Sequence, residues 1–475
     1  MSTIESSAYL AEVKPLLKTL IGKLLGTYPY ASILACDCES KQYAVTKTGI
    51  SISDTMLANR GFCAKVFDGK SYCEYSFTSI SEAEIPAIEK RIAELVKTSA
   101  ELPQGLSKSE YSALEDEEQS FKQSSECRLL PQEFSQKEII DRFTEITKKG
   151  YALSDKIIAC NAVFDWQCYH KLFISRNKDM EQNVLWSEGM IAAAATKGEA
   201  VKSGYKGFSG QCGAELLDKM TDGVDIVVKN TLDLLDSEPI TPGEYDCVCT
   251  PEVTGIIAHE ALGHGVEMDM FVKDRALAKN YIGKRVASDL VTMHDGAAAA
   301  SQTATYYFDD EGVCAKDTVV INKGILERGI SDSQSAKLLG TPPTANGRRE
   351  SFERKAYTRM TNTFFEGGKD SVEDMIKSIE YGFLLDCPAS GMEDPKNWGI
   401  QCMVSVAREI KDGRLTGKVF SPIVLTGYVP DLLQSISMMS PDVELSGTGF
   451  CGKGYKEWVK VSDGGPYIKA KIRLG

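Results

Sequence analysis

The sequence predicts an α+β protein, with an N-terminal mixed α/β region followed by a mostly antiparallel β C-terminal domain. Three observations predict it. Up to about residue 238, alternating apolar and polar runs of strand length are interleaved with segments whose apolar residues recur at helical spacing. Pro239 and the Thr241-Pro242-Gly243 turn then punctuate the chain. Beyond them, short strand-like runs divided by glycines dominate, and one helical stretch stands out among them.

In order, residues 7–25 carry leucines at helical spacing and predict a helix. Residues 30–38, 42–48, 61–68 and 70–77 predict short strands, with Asp68-Gly69 as a hairpin signal. Residues 81–97 return to helix, with Ser81 as N-cap and Ile85, Ile88, Ile92 and Leu95 as the apolar stripe. Together 1–100 predict an α+β subdomain. The charge-mixed segment 101–127 predicts a polar linker or surface excursion. A second α+β subdomain, 128–238, comprises a helix at 135–148, strands at 156–164, 167–175 and 183–194, and a helix at 212–235.

Residues 239–475 form the predicted β-rich domain. A strand at 245–250 leads into a helix begun at Thr250-Pro251-Glu252. Strands are then expected at 301–308, 318–322, 401–410, 418–425 and 467–474, and helices at 371–380 and 430–437.

Composition narrows the function. A formal net charge of -13 opposes wrapping of nucleic acid or attachment to an anionic membrane. No apolar run is long enough to span a bilayer, and the first residues lack a signal-peptide layout. The 14 cysteines are scattered without a Cys-x-x-Cys, which favours reduced thiols and a cytoplasmic location. Cys36/Cys38 and Cys247/Cys249 lie on strand-like runs and read as half-buried structural thiols.

The chemistry concentrates at Ile256 to Glu267, where His259-Glu260 precedes His264. Two imidazoles on one helix beside a carboxylate suit a catalytic zinc ion. The spacing is one residue longer than the usual His-Glu-x-x-His. On an ideal helix, positions i and i+5 differ by about 140° and cannot grip one ion. The helix must therefore widen into a π-bulge or loosen before His264, and Gly263 permits this. Gly265 marks a plausible helix end. A third protein ligand is needed. His170 and His294 qualify by type, whereas Cys451 has the better setting, in a glycine-rich loop with Lys453 close by to favour a thiolate.

The chain resembles the TldD/PmbA (TldE) metallopeptidase family, as a TldD-like member bearing His-Glu-x-x-x-His. The resemblance is carried by 259–269, by Gly283 to Ser288 with Leu290 to Thr292, and by Asn346 to Ser351. It continues through Arg359 to Thr363, Ser378 to Gly382 and the Cys451-Gly452-Lys453 loop. It implies that His259, His264 and Cys451 bind one Zn2+ per active subunit and that Glu260 is the catalytic base. It also implies a dimer, with a TldE-like subunit or with a second copy, acting on short unstructured peptides laid along a sheet edge. The chain departs from the family pattern at Pro388 to Gly399, where Trp398 and local acids bear on substrate shape.

Within such a site, Arg348, Arg349 or Arg359 are candidates to stabilise an oxyanion or hold a substrate carboxylate, and pairing with Glu350 or Glu353 is the competing expectation. Glu267 and Asp269 are candidates to orient the histidines from behind. The expected activity is zinc-dependent peptide hydrolysis with broad sequence tolerance. The alternative is a non-catalytic peptide-binding partner subunit with a structural or vestigial metal site.

Overall fold

The computed structural model describes residues 1–101, 110–454 and 456–475. Part of the expected linker, residues 102–109, lies outside the described residues. The first helix, Ala8–Leu25, starts where Ser7 Oγ accepts the Leu10 amide at 3.0 Å. Leu10, Val13, Leu17, Leu20, Ile21 and Leu24 bury one face of it.

That face packs on a sheet longer-stranded than expected. The two runs at 30–38 and 42–48 are one strand, Tyr30–Thr46, and those at 156–164 and 167–175 are another, Ile157–Ile174. Polar residues that read as turns stay in register across this pair, with Ser40 opposite Gln167 and Lys41 opposite Trp166. The strand order is Ala200–Gly210, Lys178–Lys197, Ile157–Ile174, Tyr30–Thr46, Arg60–Phe67 and Tyr72–Phe77. Strands from 1–100 and from 128–238 therefore share one sheet. The linker segment also contributes, because Gln119–Ser124 runs parallel to the start of Lys178–Lys197. The second helix is Ile85–Ala100, beginning later than Ser81 because Pro86 sits in its first turn. Two further helices, Gln136–Ala152 and Leu216–Leu234, bury Phe143, Met220 and Val224 in the core shared with strand Ile157–Ile174.

Besides two small two-stranded sheets, the chain from Gly243 builds two other large sheets. One takes in Gly243–Cys249, Tyr381–Asp394, Gly399–Lys411, Arg414–Phe420, Ile423–Tyr428 and Ile468–Leu474. The other includes Met293–Asp295, Thr318–Asn322, Asn362–Phe365 and Ser462–Gly465. Pairing is mostly antiparallel, with parallel exceptions at Gly243–Cys249 with Tyr381–Asp394 and at Asn362–Phe365 with Ser462–Gly465. The helix Pro251–Ala258 packs against strands of both sheets and buries Val253, Ile257 and Ala258 between them. The run expected as a strand at 418–425 is divided at Pro422. The expected strand 301–308 is not formed. Its backbone is held by side chains instead, since Thr305 Oγ1 accepts from the Gln302 amide at 2.9 Å and donates to the Ala300 carbonyl at 2.7 Å.

Buried charges bolt the N-terminal sheet to the C-terminal half. Lys65 pairs with Glu311 at 2.6 Å, Lys171 with Asp310, and Arg349 bidentately with Glu74 at 2.7 and 2.9 Å. Arg349 thus has a partner 275 residues away, neither a substrate nor Glu350 or Glu353. Removing one partner of a buried pair leaves the other uncompensated, at about 3–5 kcal/mol. Arg349→Met is expected to lower the thermal midpoint clearly while leaving the metal content unchanged; an unaltered midpoint would contradict the bolting role.

Candidate functional site

The helix Pro251–Ala258 passes directly into a π-helical turn, His259–Gly263, and then a 3₁₀ turn, His264–Val266. The wider turn is the physical answer to the five-residue spacing. It brings the two imidazole rings to 5.2 Å between centroids at an interplanar angle of 89°. Cys451, on the short strand Phe450–Lys453, lies between them. Its Sγ is 3.2 Å from His259 Nε2 and 3.3 Å from His264 Nε2. Among the described residues this is the group of side chains placed to hold one metal ion.

Two imidazole nitrogens and a thiolate are donors of the kind zinc takes. Tetrahedral zinc with ordinary bond lengths separates a histidine nitrogen from a thiolate sulfur by about 3.6 Å, so Sγ needs to move by only a few tenths of an ångström. Burial would push the Cys451 thiol up, but the two imidazoles beside it pull it well below its ordinary range. Burial would lower His259, yet the Cys451 sulfur and Glu260 raise it to about 9. The same sulfur raises His264. Three groups thus share protons that an ion would replace. The residues fit.

Charged neighbours fix this trio from behind. Glu267 Oε2 is 3.6 Å from His264 Nδ1 and 2.9 Å from Lys453 Nζ. Burial would raise Glu267, but Lys453, His264 and Arg359 hold it well below the carboxylate range. Asp269 reaches no histidine directly; it takes Lys453 Nζ at 2.7 Å and so anchors the cysteine strand to the helix end. Arg359 is fully buried, donating to the Cys451 carbonyl at 2.7 Å and to the Glu457 carbonyl, with Nε 3.5 Å from Glu267. It is a brace for the ligand loop. Arg348 donates to the Met360 carbonyl at 2.7 Å and lies over Tyr306. None of the three arginines lines the cavity onto which the trio opens, which corrects their expected place there.

The other histidines lie elsewhere. His170 bonds Asn183 at 2.8 Å within the N-terminal sheet. His294 is clasped between Asp317 at 2.7 Å and Glu366 at 2.9 Å. All 14 cysteines are free, and Cys36, Cys38, Cys247 and Cys249 are buried, as expected of structural thiols.

The trio opens on a cavity of about 730 Å³ lined by Glu260, Lys206, Glu252, residues 387–393 and the 446–454 loop. Glu260 is 9% exposed and its Oε2 has no hydrogen-bond partner. The strand Tyr381–Asp394 crosses close above it at Gly391, where an added Cβ would come 2.5 Å from Glu260 Cγ. Two residues on, Glu393 accepts the Gly265 amide at 2.8 Å. Burial pushes its carboxyl well above the carboxylate range. Trp398, in the segment that departs from the family pattern, is fully buried against Tyr281, with ring centroids 4.5 Å apart. Sequence reasoning missed Gly391, Glu393 and Asp463, whose Oδ2 is 3.9 Å from His259 Nδ1. Only the glycine carried a signal, as an isolated Gly in a strand pattern marks close approach.

Fold and donor set define the class: an α+β protein with a candidate mononuclear metal site of two histidines and a cysteine. The PmbA/TldA metallopeptidase C-terminal domain model matches residues 242–473. A metalloprotease TldD homolog of Buchnera aphidicola is 30% identical over 351 residues, covering 71% of each chain. A zinc metalloprotease TldD homolog of Saccharolobus solfataricus is 31% identical over 249 residues, covering 52% of this chain and 55% of that protein. The crystal structure of TldE from Thermococcus kodakarensis superposes with a TM-score of 0.78 at 18% identity, over 96% of this chain and 99% of that one. The chain belongs to the PmbA/TldD metallopeptidase family.

Gly391→Ala is expected to displace Glu260 and reduce any hydrolytic turnover by about 100-fold, with metal content preserved. Full activity in this variant would show that the close crossing does not position Glu260.

Proposed function

We propose that the protein is a zinc-dependent peptidase acting on short unstructured peptides with broad sequence tolerance. The observation that carries this reading is the convergence of His259 Nε2, His264 Nε2 and Cys451 Sγ on one point in the cavity that also holds the Glu260 carboxyl. These three residues would hold the ion. When bound, zinc supplies Lewis-acid polarisation of the scissile carbonyl and lowers the pKa of water toward about 7.

The chain's own residues supply the remaining steps. Glu260, held beneath Gly391 with a buried, unpartnered Oε2, takes the proton of the attacking water and delivers it to the leaving amine. Glu267 orients His264, while Lys453 and Arg359 keep the Cys451 strand in place. No arginine side chain is used for the oxyanion.

Peptide backbone is read by sheet edges. Tyr381–Asp394 pairs on one side with Gly243–Cys249 only as far as Leu385, so residues 388–393 face the cavity with that side free of a strand among the described residues. Ala200–Gly210 is an edge strand of the N-terminal sheet, and its Tyr205 hydroxyl donates to the Pro388 carbonyl at 2.9 Å across the same cavity. A peptide adding to such an edge is recognised by its main chain, which supports broad tolerance. No described helix is long and apolar enough to cross a membrane. We place the protein in the cytoplasm, as a dimer with a TldE-like subunit or with a second copy.

Glu260→Gln is expected to keep the zinc and reduce cleavage of an unstructured peptide by about 10²–10⁴-fold. Chelation of the wild-type protein should abolish cleavage before the fold is lost. Unchanged turnover in the variant would remove the assigned role, and unfolding that coincides with metal loss would favour a structural ion.

A further inference from the structure

The cavity is acidic in a specific way. Its lining carries the carboxyls of Glu252, Glu260, Glu267, Glu393 and Asp463 against the two lysines Lys206 and Lys453. Both lysines are engaged, Lys206 with Glu252 at 2.6 Å and Lys453 with Glu267 at 2.9 Å and Asp269 at 2.7 Å. Glu267 is likewise held by Lys453 and the site's own histidine. Glu260 and Glu393 differ from these. Each has a buried carboxyl oxygen, Glu260 Oε2 and Glu393 Oε1, without a hydrogen-bond partner. Whereas Glu267 Oε1, likewise unbonded, faces Arg359 Nε at 3.5 Å, neither Glu260 nor Glu393 is ion-paired with a lysine or arginine among the described residues.

Glu393 is the one of the two that the hydrolytic scheme does not use. It sits on the same face of Tyr381–Asp394 as Gly391, the residue that closes over Glu260. Its Oε2 takes the Gly265 amide, one residue beyond His264, so the carboxyl is fixed at the end of the bent helical turn. Gly265 leaves room for it, since a Cβ there would lie 2.5 Å from Glu393 Oε1. A buried carboxyl held through one oxygen, in a cavity whose lysines are already paired, gains most from a ligand that brings positive charge and N–H donors. Burial works against its charge, and an arriving cation offsets that cost.

Resting on the peptidase reading above, we infer that Glu393 is a specificity-determining residue that receives a cationic group of the substrate peptide beside the scissile bond. The shared chemistry is an ammonium or guanidinium, which a free peptide amino terminus and a lysine or arginine side chain both supply. Acidic peptides are disfavoured by the same surface.

The test uses the zinc-loaded full chain and one unstructured fluorogenic peptide in four forms. The amino terminus is free or acetylated, and a single internal lysine is kept or replaced by norleucine. In the wild type, kcat/KM should fall by about tenfold or more when the recognised cation is removed, and the acetyl and norleucine arms identify which cation that is. In Glu393→Gln, where the amide oxygen still accepts from Gly265, the ratio between cationic and neutral forms should collapse to within about twofold. Glu393→Asp should restore part of it. A wild type indifferent to both cations, or a ratio preserved in Glu393→Gln, overturns the inference. If the zinc-loaded wild type cleaves none of the four, the peptidase reading fails separately. Calorimetric binding of the same peptides to Glu260→Gln, with and without Glu393→Gln, then decides the cation claim: a cation-dependent affinity lost with Glu393 supports it, and equal affinities overturn it.

Discussion

One widened helical turn governs the site. A regular helix would point His259 and His264 to directions about 140° apart, and no rearrangement of side chains alone would let them share an ion. The π-helical turn His259–Gly263 absorbs the extra residue and leaves both Nε2 atoms close to one sulfur. The cost of the irregular turn is met by its surroundings. Leu262 is buried in the core, Met360 packs over Gly263, and the flanking helix is held between two sheets.

The same constraint explains why so many buried charges cluster behind the site. Cys451 comes from a strand 187 residues beyond His264 and has to be held against the bent turn. Arg359 does this by binding the carbonyls of Cys451 and Glu457, and Lys453 does it by bridging to Glu267 and Asp269. Each of these ions is paired, which is what allows it to be buried at all. The acids expected to touch the histidines thus divide their work. Glu267 reaches His264, and Asp269 reaches Lys453 and Lys273 but neither histidine.

Much of the frame was legible in the sequence. The helix at 8–25, the strand at 318–322 and the entry into the motif helix follow from apolar spacing and, for the last, from Pro251 as its start. The widened turn was legible too, because the histidine spacing permits no regular helix. Strand lengths were less so. Glu39 to Lys41 and Asp165 look like breaks, yet each finds a cross-strand neighbour that only the sheet supplies. The edge strand Ala200–Gly210 escaped notice because its glycines and partly exposed residues give no clean alternation. The arginines were misread for a deeper reason. Arg349 and Arg359 are satisfied by Glu74 and by backbone carbonyls far along the chain, and partners at that separation leave no local trace. The place of Trp398 in the core was not legible, since a bulky ring next to a turn has no sequence mark for which side it faces.

The central claim is that the bent turn and the Cys451 strand form one metal site. X-ray absorption at the zinc edge, on protein purified with its native metal, tests it most directly. One zinc per chain is expected, with two nitrogen ligands at about 2.0–2.1 Å and one sulfur at about 2.3 Å, the sulfur lost in Cys451→Ala. A spectrum without sulfur in the wild type, or one unchanged by that substitution, would contradict it.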